Sequence, residues 1–235
     1  MQQKHRWSLS RRQFLTASAS VVASAAAPWP LRSLANGSTP AIRTYHLKLH
    51  TATAPLLGTA WKPIDVWAYN AQVPGPALRA RQGERLRVVV ENRLPEDTTV
   101  HWHGIRVPNA QDGVPYLTQE PIAVGERYVY EFDCPDAGTF WYHPHQRSHE
   151  QVGRGLSGPL IIEEIEPIRV DRDVTWVLDD WRLDEGGRLD EAFGNRHDIA
   201  HAGRIGNTIT VNGGPMPAFS LRSGERIRLP LMNAA

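Results

Sequence analysis

Four histidines fall in two His-x-His pairs, His101-Trp102-His103 and His143-Pro144-His145. Along a β-strand successive side chains point to opposite faces, so each pair sends both imidazoles to one side and turns Trp102 or Pro144 to the other. Two such strands lying side by side would gather four neutral nitrogen donors. That is metal-site chemistry, because imidazole suits copper, zinc, iron and nickel, whereas a hydrophobic core has no use for four such rings. A lone histidine is ordinarily a satisfied polar residue, and a single pair arises by chance. Two pairs, each flanked by glycine and aromatics in strand-like sequence, point to a ligand set of His101, His103, His143 and His145.

The elements that must carry these pairs read as strands. Ile42 to His50 alternates, Arg85 to Glu91 is a β-branched run, and Tyr128, Tyr130 and Phe132 share one face opposite Val129 and Glu131. Gly83, Gly125 and Gly138 sit before or between these segments, Leu160-Ile161-Ile162 closes the set, and no helix-period stretch dominates. With 18 prolines and 19 glycines in 235 residues, 41% hydrophobic and 22% charged, the composition is that of a turn-rich globular chain. The pattern predicts an all-β fold, a β-sandwich. A helical turn is expected within 146–156, where His149 reads as a surface residue.

Past Pro167 the sequence begins again. Gly224 to Asn233 (GERIRLPLMN) repeats Gly83 to Asn92 (GERLRVVVEN), and Pro74, Pro76 and Ala77 recur at the same spacing as Pro215, Pro217 and Ala218. A repeat of this length predicts a second domain of the same fold over 167–235, after a first over 40–165. The second copy stops two residues after Asn233, where the first goes on to the His101 pair. The chain is therefore expected to be the front part of a longer protein and inactive by itself, with open sheet edges and an uncovered apolar face. Pro230 stands in the place of Val89, where a strand tolerates proline only at an edge or bulge.

Residues 1–35 read as an address. A basic start leads to Ser10-Arg11-Arg12-Gln13-Phe14-Leu15 and then an uncharged Ala/Ser/Val stretch to Ala27, similar to a twin-arginine export signal. The stretch is too short, too weakly apolar and too broken by Pro28 and Pro30 for a stable membrane span, which needs about 20 apolar residues. Its removal takes away five basic residues and no acidic ones, leaving 21 basic against 25 acidic residues. A mildly acidic mature chain without a basic run has no electrostatic footprint for nucleic acid. The one cysteine, Cys134, has no partner for an intramolecular disulfide; it reads as a strand-end thiol.

Thr98 to Ile122 (TTVHWHGIRVPNAQDGVPYLTQEPI) and Asp136 to Glu164 (DAGTFWYHPHQRSHEQVGRGLSGPLIIEE) closely resemble the two amino-terminal copper-binding motifs of multicopper oxidases, the family of laccases, bilirubin oxidases and bacterial copper-resistance oxidases. Pro74 to Pro95 resembles the strand region that precedes them there, and the match runs from about Tyr45 to the end of the chain. The resemblance implies a cupredoxin-like Greek-key sandwich, plastocyanin-like in its first domain. It also implies copper as the cofactor, with dioxygen and a reducing small molecule or metal ion as partners. His101 resembles the family's ligand to the type 2 copper, His103 with His143 the ligands to one type 3 copper, and His145 a ligand to the other. Asp112, in the Asp-Gly-Val-Pro turn, matches an acidic position that assists proton delivery, although Asp before Gly is also a standard turn residue.

Two features of the family are missing. Its carboxy-terminal His-x-x-His-x-His and His-Cys-His motifs do not occur, and Cys134 has no adjacent histidine, so the type 1 copper site is absent from this chain. His197 and His201, spaced i, i+4, read as solvent-facing. The function expected is that of an exported, periplasmic, laccase-like copper oxidase, of which this chain supplies half the trinuclear cluster ligands. The alternatives are a non-enzymatic periplasmic copper-binding module and a related scaffold that has lost copper, the latter opposed by the four intact histidines. A copper nitrite reductase would need a cysteine beside the first-domain histidines.

Overall fold

Alternating apolar residues set the inner faces of two four-stranded sheets. The computed structural model describes residues 41–201 and 203–235, so the stretch carrying Arg11 and Arg12 lies outside the described residues. Eight strands come first: β1 (Ile42–Ala54), β2 (Ile64–Tyr69), β3 (Leu78–Arg81), β4 (Arg85–Arg93), β5 (His101–His103), β6 (Arg127–Asp133), β7 (Gly138–His143) and β8 (Gly158–Glu163). They assemble as sheets of order β2-β1-β4-β6 and β3-β8-β7-β5. The strand signals at Ile42, Arg85, Tyr128 and Leu160 all fall in these elements.

Between the sheets lies one core. Leu47 and Leu49 of β1, Leu86, Val88 and Val90 of β4, and Tyr130 and Phe132 of β6 meet Trp102, Tyr142, Leu160 and Ile162 from the other sheet. Each large apolar side chain withdrawn from water in this way contributes roughly 1.5–3 kcal/mol before chain entropy is set against it. Cys134 joins that core just past the end of β6, and burial pushes its thiol up to about 11. The helical turn expected in 146–156 is α1 (Ser148–Gln151).

Beyond β8 the elements are β9 (Arg172–Asp173), β10 (Trp176–Trp181), α2 (Arg196–Ala200), β11 (Thr208–Val211), β12 (Ile227–Arg228) and β13 (Leu231–Asn233). Here the sequence repeat becomes a repeat of topology. In the first sheet β1 pairs antiparallel with β2 and parallel with β4; in the later sheet β10 pairs antiparallel with β11 and parallel with β13. Local devices recur too. Glu84 Oε2 accepts from the Arg81 amide at 2.8 Å around Gly83, and Glu225 Oε2 accepts from the Arg222 amide at 3.0 Å around Gly224. Pro230 divides the strand that β4 forms without interruption into β12 and β13, as a missing amide hydrogen requires. Ile209 and Leu231 stand exposed on this smaller sheet.

Candidate metal centre

β5 and β7 lie side by side and antiparallel, with His101 opposite His143, Trp102 opposite Tyr142 and His103 opposite Trp141. Trp102 and Tyr142 have no exposure and fix which way the strands face. The Trp102 ring sits 5.4 Å from Tyr130 and 5.0 Å from Phe132. The Tyr142 ring fills space left by two glycines, since a Cβ at Gly75 or Gly158 would come within 2.6 or 2.3 Å of its hydroxyl oxygen. That hydroxyl donates to the Pro76 carbonyl at 2.8 Å. With these two rings locked inward, period-two alternation turns His101, His103, Trp141 and His143 to the outer face of the sheet.

The second pair departs from the strand expected for it. β7 ends at His143, and His145 lies in the loop beyond, because Pro144 has no amide hydrogen with which to extend the ladder. The His145 amide donates instead to Thr99 Oγ1 at 3.1 Å, which returns the loop to β5. Gln151 of α1 holds the same junction from a fully buried position, donating to Glu96 Oε1 at 2.7 Å and the Asp97 carbonyl at 2.9 Å while accepting from Thr98 Oγ1 at 2.7 Å. His145 thereby rejoins the others, its ring 5.2 Å from His101 and 6.2 Å from His143.

The donor set fits a metal ion. One ligand atom from each of His101, His103 and His143 falls within 4.8 Å of the others. His103 Nδ1 and His143 Nε2 stand 3.2 Å apart. Two nitrogens each about 2.0–2.1 Å from one ion, at angles between about 90° and 109°, are about 2.9–3.4 Å apart. The tautomers agree: His143 Nδ1 donates to the Pro144 carbonyl at 2.8 Å and His101 Nδ1 to the Asp112 carbonyl at 2.7 Å, freeing both Nε2 lone pairs. Burial pushes His143 down to about 4, with a smaller contribution from neighbouring histidine charges and an opposing one from the Pro144 carbonyl. His103 is lowered by burial first and then by His101 and His145. Both rings are neutral near pH 7, the state in which imidazole binds metal.

Asp112 meets His101 twice, through its carbonyl and through Oδ1 at 3.3 Å. Gly113 makes this approach possible. Its φ is +73°, and a Cβ there would lie 1.9 Å from the Val100 carbonyl oxygen. Sequence reasoning found the Asp-Gly turn but not that it presses against the strand leading into His101.

Trp141 was also missed. Its ring stacks on His143 at 4.1 Å and tilts over His103 at 4.8 Å, while Val177, Met232 and Ala234 pack against it from the second sheet. A signal existed in the Phe-Trp-Tyr-His run, where Trp141 shares strand parity with His143. The four histidines open onto a cleft of about 480 Å³, whose other wall brings Asp179, Arg182 and Arg204. His149 is exposed at that cleft. His197 of α2 and His201, just past its end, neighbour each other, rings 4.5 Å apart, exposed and away from the cleft lining.

A sandwich that presents paired histidines outside one sheet, with carbonyl-set tautomers, is a cupredoxin-like β-sandwich whose donor set fits a metal ion. Residues 52–167 match the family model described as multicopper oxidase. Copper resistance protein A of Pseudomonas syringae pv. tomato is 45% identical over 116 residues, covering 48% of this chain and 19% of that protein. Laccase-2 of Botryotinia fuckeliana is 32% identical over 247 aligned positions, covering 96% of this chain and 42% of the laccase. Among solved structures, a multicopper oxidase from Pseudomonas thermotolerans matches with a TM-score of 0.78 and 41% identity, over 83% of this chain and 47% of that chain. Over residues 52–167 the chain is an amino-terminal portion of a multicopper oxidase. It spans about a fifth of the length of the copper resistance proteins it matches.

Proposed function

We propose that this chain supplies the amino-terminal part of an exported multicopper oxidase, which couples one-electron oxidation of a reducing small molecule or metal ion to the reduction of dioxygen to water. In this reading residues 40–165 and 167–235 are successive cupredoxin-like domains. His101, His103, His143 and His145 supply half the ligands of a trinuclear copper cluster. The observation that carries it is the 3.2 Å separation of His103 Nδ1 and His143 Nε2, which suits two ligands on one type 3 copper. His101, held by the Asp112 carbonyl, suits the type 2 copper, and His145, on its separate loop, the other type 3 copper.

Bound copper would supply one-electron redox chemistry and a site for oxygen. The chain's own residues do the rest. The Asp112 carbonyl fixes the His101 tautomer, and the Asp112 carboxylate stands where it can pass protons toward the cleft. Trp141 lies against the planes of His103 and His143 and sets their orientation. Arg11 and Arg12, with the apolar stretch behind them, support periplasmic delivery by the twin-arginine route. No helix among the described residues is long and apolar enough to cross a membrane.

The test is copper stoichiometry. His103→Ala and His143→Ala should each abolish the same bound copper, and the double variant should lose no more than either. Full copper retention in the double variant would sink the assignment. Oxygen uptake with a phenolic substrate, measured on copper-loaded protein purified from the native host, separates an oxidase from a non-enzymatic copper-binding module.

A further inference from the structure

β10 carries a carboxyl group into the histidine cleft from the opposite wall. Its alternation buries Val177, Asp179 and Trp181 on one side and leaves Leu178 and Asp180 half-buried on the other. Val177 packs, with Met232 and Ala234, on Trp141, the ring stacked on His143. Asp179 is the next inward residue along the strand. It lines the same cleft as the four histidines and is only 8% exposed.

That carboxyl has little to stabilise a charge. Oδ1 accepts from the Asp180 amide at 2.9 Å; among the described residues the Asp179 carboxyl makes no other hydrogen bond and no ion pair. The nearby cations are committed elsewhere. Arg182 forms a two-bond pair with Asp198 at 2.9 and 3.0 Å, and Arg204 donates to the Ala192 and Asp190 carbonyls with its guanidinium over Phe193. Asp180, which with Gly206 also lines the cleft, accepts from the Gly206 amide. From the facing wall come His101 and His103 on β5, His143 on β7, and His145 and His149 after it.

We propose that Asp179 is a proton-holding residue of the cleft: its carboxyl, delivered by the sheet opposite the histidines, keeps a proton turned toward whatever binds between them. This rests on the reading of the four histidines as copper ligands. Removing an unpaired carboxylate from water is unfavourable, so the neutral form persists. Burial, with the Asp180 charge adding to it, raises Asp179 to about 8. A neutral carboxyl can donate a hydrogen bond and release its proton when positive charge arrives. Reduction of one dioxygen to two waters consumes four electrons, from the reducing substrate, and four protons. Each proton Asp179 gives up is replaced from water, so the carboxyl is unchanged over the cycle.

Carboxyl ¹³C NMR on the full chain, labelled at aspartate, tests this, first metal-free and then anaerobically with cuprous ion, which is diamagnetic. Asp179→Asn identifies the resonance by its loss, and Asp179→Glu does so, in a chain labelled only at aspartate, if the first variant does not fold. The Asp179 midpoint should lie near 8 in the metal-free chain and fall by about one pH unit with cuprous ion bound. Asp179→Asn, or wild type titrated below the midpoint, should take up cuprous ion at the full stoichiometry. A metal-free midpoint below about 5, or one that copper leaves unmoved, overturns the proposal. So does loss of bound copper in Asp179→Asn, which would make the residue a ligand. Failure of cuprous uptake by the wild-type chain would refute the copper reading instead, and the metal-free midpoint would still decide whether Asp179 holds a proton.

Discussion

Replacing Gly113 with alanine should loosen the metal centre without touching a ligand. The Gly113 φ is +73°, where an L side chain costs about 1–2 kcal/mol. The new Cβ would also lie 1.9 Å from the Val100 carbonyl oxygen and 2.5 Å from its carbon. A carbon–oxygen contact settles no closer than about 3.3 Å, so the loop must retreat by more than about 1 Å. The His101–Asp112 carbonyl bond, now 2.7 Å, would then pass out of hydrogen-bonding range and forfeit about 1 kcal/mol more. Gly125→Ala is the control: its φ is +83° and no atom lies within 4 Å of the added Cβ. Both substitutions restrict the unfolded chain equally, so that contribution cancels between them. Urea unfolding should place Gly113→Ala about 1–2 kcal/mol below Gly125→Ala. Copper titration should show about 10–100-fold weaker binding for Gly113→Ala alone. Equal stabilities and equal copper affinities would refute the claim that this close approach orients His101.

Asp112→Ala keeps the carbonyl that accepts from His101 at 2.7 Å, so its copper affinity should fall less than about tenfold; a loss as large as that of Gly113→Ala would show that the carboxylate orients the ring. Gln151→Ala removes three hydrogen bonds from a fully buried site and should cost about 2–4 kcal/mol in urea unfolding. A raised folded-state pKa makes Asp179 neutral while the unfolded chain is ionised, so its contribution is fully present below about pH 4 and is lost as pH rises to about 8. Wild type should therefore lose about 1.4 kcal/mol per pH unit relative to Asp179→Asn across that window. His143 and His103, with lowered values, act in the opposite direction at the acid end and cancel in the difference. Parallel stability–pH curves would remove Asp179 as a buried acid. Arg11→Lys with Arg12→Lys should leave the precursor in the cytoplasm, because recognition of the guanidinium pair is not replaced by charge alone; cell fractionation reads the outcome.

The sequence by itself determined the strands, the repeat and the ligand candidates, because each is a local pattern. Period-two alternation put Tyr130 and Phe132 inward, and the His-x-His spacing turned His101 and His103 to one side. Tertiary structure decided what no local pattern encodes. Pro144 ended the ladder, so His145 reaches the cluster through Thr99, not as a strand residue. Gly113 matters because a distant carbonyl presses against it, and nothing in the Asp-Gly pair names Val100 as the neighbour. Trp141 and Asp179 lie 38 positions apart in sequence and face the same cleft only because β10 packs outside the sheet that holds β7. The chemistry of a side chain is written in its type, but the desolvation that keeps His143 neutral and a proton on Asp179 comes from neighbours that only folding brings near.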